Sequence, residues 1–281
     1  MRSIHIATIT QAVAKLAIDA NYYLSEDVYD ALVAGQSREE SPLGREIIGQ
    51  LVKNACIARE EGMPICQDTG LAVVFVELGQ DVHIDGGSLE DAIHAGVAKG
   101  YVEGYLRKSA VAEPLFNRIN TKNNTPAIIH YSVVPGDKLK ITLAPKGAGS
   151  ENKSAVKMLV PADGVDGVKK FILDTVKAAG PNSCPPMVLG IGIGGTMEKA
   201  ALLAKKALIR PINQRNDHPE YAKLEEEILS MVNKTGIGPQ GLGGRITALA
   251  VNIEWYPTHI AGLPVAVNIN CHAARHAQIE L

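Results

Sequence analysis

An α+β (mixed α/β) fold is predicted, with a helical N-terminal part packed on a sheet-containing part. Three observations predict it. Apolar residues recur at helical spacing across residues 6–61. Short apolar runs of strand length follow at 71–78, 126–134, 138–144 and 187–195, and again towards the C-terminus. Helical segments lie between those runs, which points to layers of both kinds around a common core.

In order, "ITQAVAKLAIDANYYL" carries the first helical pattern. Ser25 stands as the N-cap of "EDVYDALVAG". "SPLGREIIGQLVKNACIAREEG" gives a third helix with Gly62 as its stop. "LAVVFVEL" is a strand, and Ser88 with Asp91 makes a capping pattern for the helix "LEDAIHAGVAKGYVEGYL". "PAIIHYSVV" and "KLKITLA" are expected to pair as a hairpin across "PGD". The polar loop "PKGAGSENKS" precedes a helix over 164–179. "MVLGIGIGG" is a buried strand feeding the helix "TMEKAALLAKKAL". A charged helix over about 218–234, a glycine-rich loop over 235–245, and the strands "ITALAVNIEW" and "PVAVNIN" complete the pattern. The expected organisation is a helical region, 1–62, and an α/β region, 63–281, forming one continuous domain.

Composition narrows the function classes. The chain has 281 residues, is 46% hydrophobic and 21% charged, and can bury a sizeable core. A formal net charge of -2 gives no broad cationic face for nucleic acid or an acidic membrane. No apolar run reaches the length of a bilayer span. "MRSIHIATITQAVAKL" lacks an unbroken apolar signal region and a cleavage site, so the expected location is the cytoplasm.

One motif is a decoy. Gly190, Gly192 and Gly195 fit G-x-G-x-x-G between a strand and a helix, as in a dinucleotide-binding turn. That turn needs an acidic residue at the end of a second strand about 20 positions on. The chain instead runs into the proline-broken "IRPINQRNDHPE". Close helix–strand packing is the preferred use of these glycines.

The cysteines raise the functional question. No two of Cys56, Cys66, Cys184 and Cys271 are close in sequence, so there is no local zinc-finger spacing. In a reducing compartment the plain expectation is four buried thiols. Cys56 fits it, lying inside an apolar helical pattern. The other three sit at polar turns: Cys66 in "PICQDTGLAVVF", Cys184 in "PNSCPP", and Cys271 at a strand end before His272. The second expectation is that these three converge. Three thiolates on a [4Fe–4S] cluster leave one iron without a protein ligand, and that iron is a Lewis acid for a hydroxyl and a carboxylate. A carboxyl beside a ligand, such as Asp68, suits proton donation to the departing hydroxide. His259, in the loop "YPTHIAGLP", is either an ordinary loop histidine or a site group. His272 and His276 flank Arg275, and one of them is a candidate to orient the Cys271 loop.

A family resemblance now joins these residues. "CQDTG", "YLRKSAV", "NTPAIIH", "APKGAGSENKS", "NSCPP", "LGIGIGGTMEKAALLAKKAL", "GIGPQGLGG" and "HIAGLPVAVNINCHAARHA" together resemble the cluster-binding α region of class I fumarate hydratase, from about residue 45 onward. The resemblance implies an oxygen-sensitive [4Fe–4S] cluster and reversible hydration of fumarate to L-malate, a reaction of the tricarboxylic acid cycle. It assigns the cluster ligands to Cys66, Cys184 and Cys271. It implies substrate contacts from Gln67 and Arg107, and from the backbone at Gly147 and Gly149. It gives Asp68 a catalytic hydrogen-bonding role and His259 a site role. It further implies a separate β subunit that completes the dicarboxylate site, with homodimerisation of α as a further expectation. A related possibility is the α subunit of L-tartrate dehydratase, which shares "CQDTG", "CPP" and "GIGPQGL"; fumarate is placed first because "YLRKSAV", "GSENKS" and "NCHAARH" look more like fumarase. The alternative from another class is a cluster-carrying or nucleotide-binding protein without catalysis.

Overall fold

The computed structural model describes residues 2–281. The elements in chain order are β1 (Arg2–His5), α1 (Ile6–Tyr22), α2 (Glu26–Arg38), α3 (Pro42–Glu61), β2 (Leu71–Gly79), β3 (Val82–Asp85), α4 (Leu89–Glu103), β4 (Ile128–Val134) and β5 (Leu139–Lys146). Then come the single turn α5 (Ala148–Glu151), β6 (Ala155–Leu159), α6 (Gly164–Ala179), β7 (Met187–Gly194), α7 (Met197–Ala207), α8 (Pro219–Asn233), β8 (Ala248–Tyr256), β9 (Leu263–Asn270) and β10 (Ala277–Glu280). The mixed α+β class is therefore observed. Two compact units share the chain: residues 2–24, 55–148 and 275–281 form the first, and 25–54 with 149–274 the second. The helical stretch is divided between them, α1 falling in the first unit and α2 in the second.

The first unit is built on a sheet of order β10-β5-β2-β4. Its core joins Val13 and Leu16 of α1, Ile93 and Val97 of α4, and Val74, Val76, Ile141 and Leu143 of the sheet. The expected hairpin between β4 and β5 is not formed. β2 lies between them, parallel to β4 and antiparallel to β5. Burial explains the choice: β2 is covered along Ala72–Val76, whereas β4 is mostly exposed and suits an edge. The connection over 135–138 has only to cross two strand spacings, about 10 Å. The end of β2 passes under it, with Gly79 N–H bonded to Lys138 O at 2.9 Å and Gln80 N–H to Val134 O at 2.9 Å. Helix α4 also stops at Glu103, earlier than its pattern, because Gly104 caps it. The short strands β1, β3, β6 and β10 lie outside the sequence expectation.

The second unit is built on a sheet of order β6-β9-β7-β8. Every residue of β7 is buried. Leu189, Ile191 and Ile193 share a core with Val168, Ile172 and Val176 of α6 and with Leu224, Ile228 and Val232 of α8. The alternate positions, Gly190 and Gly192, receive α7. A Cβ on Gly190 would lie 2.1 Å from Ala204 O, and one on Gly192 would lie 2.0 Å from Ala200 O. The glycine-rich stretch is thus a packing device, as the sequence predicts, with helix backbone resting directly on strand backbone. Gly192→Ala is expected to destabilise the protein by about 1–3 kcal/mol through overpacking. A thermal midpoint equal to that of the wild type would show that α7 can move aside at no cost.

Candidate active site

In the first unit the predicted site residues lie at the mouth of β2. The chain arrives from α3, and Ile65 N–H bonds to Asn21 O at 3.0 Å. Gly70 then adopts a φ of +66, where a Cβ would meet the Lys146 backbone at 2.4 Å. Only glycine lets the two strand ends approach this closely. Asp68 closes the turn. Its Oδ1 accepts the Gly70 N–H at 3.0 Å, and its Oδ2 accepts the Ala148 N–H at 3.0 Å. A Cβ on Gly147 would stand 3.1 Å from Asp68 Oδ2. Asp68 and Gly147 are therefore brought together. Gln67 is exposed, with its Oε1 3.5 Å from Cys66 Sγ.

A buried network ties this turn to Arg107. The Tyr101 hydroxyl lies 2.8 Å from Thr69 O and 3.0 Å from Gly70 O, either of which can accept its proton. Burial pushes the Tyr101 phenol far above its ordinary pKa, so it remains a donor. Thr69 Oγ1 donates to Arg107 O at 3.1 Å. Asn124, fully buried, donates to Gly70 O at 3.0 Å and accepts from Ser109 N–H at 2.7 Å and Ala110 N–H at 3.1 Å. The Arg107 side chain itself is exposed. Arg275, 5% exposed, donates from Nη2 to Asp68 O, while its Nε and Nη1 are buried with no acceptor among the described residues.

In the second unit Cys184 caps a 3-10 turn, Gly180–Ser183, in a left-handed conformation with φ 52 and ψ 64. The residue is exposed. Cys271 is the first residue beyond β9 and is partly buried. The next residue, His272, donates its backbone N–H to Cys184 O at 3.2 Å. The turns that carry these two cysteines are therefore in contact. Gly149 lies near Asn182 O, which a Cβ there would meet at 3.6 Å. His259 stands in an exposed turn between β8 and β9, where its Nδ1 accepts the Ala261 N–H at 3.1 Å. Among the described residues its side chain shows only this local role.

Among the described residues, no group of three or more His, Cys, Asp and Glu side chains is gathered to hold a metal ion. The donor chemistry nevertheless fits an iron–sulfur group. All three cysteines stand at loops rather than inside elements, and soft thiolates suit iron. A cluster carried on thiolates is anionic, and the Cys66–Thr69 turn is gripped by a buried guanidinium with two donors unclaimed. Cys56, by contrast, lies within α3.

The sequence does not single out Tyr101, Asn124, Glu39 and Gln240, and it marks Arg275 only as the residue between His272 and His276. A polar residue inside an apolar helical run, as Tyr101 is, was the one signal that could have found any of them.

Residues 10–280 match the family described as Fumarate hydratase (Fumerase), and the chain belongs to that family. It is 43% identical over 274 residues, 96% of each chain, to a Methanocaldococcus jannaschii protein provisionally named L(+)-tartrate dehydratase subunit alpha. It is 32% identical over 275 residues, 96% of this chain and 90% of the relative, to the L(+)-tartrate dehydratase subunit alpha of Escherichia coli strain K12. The same identity and coverage hold for the protein of that name from Shigella sonnei. The family expectation is met. The order of substrates is not supported, because these relatives carry the tartrate name.

Proposed function

We propose that this chain is the α subunit of an iron–sulfur hydro-lyase that removes water from a four-carbon hydroxydicarboxylate, with L(+)-tartrate ahead of L-malate. One observation supports the site: the Asp68 carboxylate is fixed by two backbone N–H groups at a strand mouth, two residues after Cys66. The names of the relatives support the substrate order. The family description keeps L-malate and fumarate as the second reading.

Cys66, Cys184 and Cys271 would hold the cluster. When bound, the [4Fe–4S] group supplies an iron with an open position that acts as a Lewis acid. The chain's own residues supply the remainder. Each Asp68 oxygen keeps a lone pair beyond its backbone bond and can take or return a proton at a fixed place. Gln67 and Arg107 are exposed donors for a substrate carboxylate. The backbone at Gly147 and Gly149 is assigned a substrate contact, and His259 a site role, on the family resemblance. Loss of water from tartrate leaves an enol of a keto-dicarboxylate, whereas malate leaves an alkene. The substrates thus differ in one hydroxyl that the site must bind.

A second carboxylate needs its own cationic clamp, because it loses its water on binding. Arg107 alone is a thin one, and the relatives are named as alpha subunits. We therefore assign the missing groups to a β subunit, in a cytoplasmic complex. The test is an anaerobic assay of the cluster-loaded α chain, with and without β, on L(+)-tartrate, L-malate and fumarate. The expected result is little turnover by α alone and tartrate turnover on adding β. Full turnover by α alone would defeat the half-enzyme claim. Turnover of malate and fumarate only would move the assignment to the second reading.

A further inference from the structure

We propose that Gln240 is a positioning residue that clasps the Cys184 turn to the Cys271 turn; the proposal rests on those two cysteines being cluster ligands. The loop over 235–245 is rich in glycines at positive φ: Gly236, Gly238, Gly241, Gly243 and Gly244. Among them Gln240 holds a left-handed backbone, φ 52 and ψ 17, despite carrying a Cβ. That conformation is strained for a residue with a Cβ. The side chain offsets the strain.

Gln240 reaches both turns at once. Its backbone N–H and its Nε2 both donate to Pro185 O, at 2.8 Å and 2.7 Å. Pro185 directly follows Cys184. The same Nε2 lies 3.2 Å from Nδ1 of His272, the residue directly after Cys271. Nδ1 also lies 3.3 Å from Cys184 O. One ring nitrogen cannot accept from the amide and donate to the carbonyl together. The amide nitrogen can only donate, so a bond between Nε2 and the ring takes Nδ1 as its acceptor, while Cys184 O receives the His272 backbone N–H at 3.2 Å. The primary amide thereby spends one N–H on each turn.

The base of the clasp is firm. Glu39 is fully buried and accepts the backbone N–H of Arg245 on both oxygens at 2.9 Å and that of Ile246 at 2.7 Å. Burial pushes its carboxyl up, but these backbone donors and those of Ser41 and Glu40 outweigh it and hold the pKa below the ordinary value. Gly238 N–H bonds to Thr247 Oγ1 at 3.0 Å. Gln240 thus projects from an anchored loop, as a group supporting metal ligands must.

Two variants separate positioning from folding. Gln240→Gly suits the left-handed backbone, keeps the backbone bond to Pro185 O and removes the side-chain bridge between the turns. Gln240→Glu keeps the size and the backbone bond to Pro185 O, but its side chain donates to neither Pro185 O nor His272 Nδ1. Apo melting, the alkylation rate of Cys184 in the apo chain, and iron loss to a chelator after anaerobic reconstitution would be read for each. Gln240→Gly is expected to melt at or above the wild-type midpoint, with faster Cys184 alkylation. Both variants should lose iron about 10–100-fold faster, the range for support of metal ligands. Wild-type retention in both variants would overturn the proposal alone. Retention in Gln240→Glu, with Gln240→Gly melting low and losing iron, would overturn it in favour of a structural role. A wild-type chain that takes up no iron would overturn the cluster reading and the clasp with it.

Discussion

Asp68→Asn is expected to slow turnover about 10²–10⁴-fold in iron-loaded protein assembled with its β subunit, the range for a general acid–base group. The structure gives this residue a second role that the measurement must separate. Both carboxylate oxygens hold backbone N–H groups, of Gly70 and of Ala148. Asparagine can keep one of these contacts through its carbonyl oxygen, while its NH₂ would face the other N–H. A stability loss of about 1–3 kcal/mol is expected from the mismatch. Rate must therefore be measured per folded, iron-loaded molecule. A turn-capping role alone lowers stability and leaves that rate unchanged, whereas a proton-transfer role lowers the rate at constant iron content.

Loss of any one of Cys66, Cys184 or Cys271 is expected to abolish assembly of about four iron and four sulfide per site. Serine at each position keeps the size and removes the soft ligand. Cys56→Ser should load normally, since Cys56 belongs to α3. Cys184→Gly is the sharpest form of the test. Glycine suits the left-handed backbone at φ 52 better than cysteine does, so the apo chain should be at least as stable and yet fail to hold iron. Iron and sulfide analysis after anaerobic reconstitution checks the whole series. Normal loading of a variant at 66, 184 or 271, or loss of iron from Cys56→Ser alone, would show that the ligand set is wrong.

The sequence was legible where one segment decides its own state. The periodicity of α1, the capping by Ser88 and the unbroken apolar run of β7 each carry their signal locally. The pairing of β4 with β5 failed for the opposite reason. Two good strands and a short turn make a hairpin pattern, and nothing near "PGD" reports that the distant β2 will take the place between them. The thin strands β1, β3, β6 and β10 owe their state to partners far along the chain. At the site, Cys66, Gln67 and Asp68 announce themselves as reactive side chains at a strand mouth. Tyr101, Asn124 and Gln240 do not, because their role is hydrogen bonding to backbone that only the fold brings near. The choice between tartrate and malate turns on a single hydroxyl of the substrate, and the stretches "YLRKSAV", "GSENKS" and "NCHAARH" point to the order that the relatives' names do not support.

The first unit has a consequence for synthesis. It is assembled from three stretches of chain, and its last pieces are Arg275, on Asp68 O, and β10, paired along β5. At ~5–20 residues per second, a ribosome takes on the order of ten seconds to make the intervening residues 149–274. During that wait β5 is an open edge, with Leu139, Ile141 and Leu143 in a core not yet closed by Ile279. Newly made chain is then at its stickiest, and slow translation or a stop before residue 277 would leave it so. Chaperone demand during expression should accordingly fall on the first unit, late in synthesis.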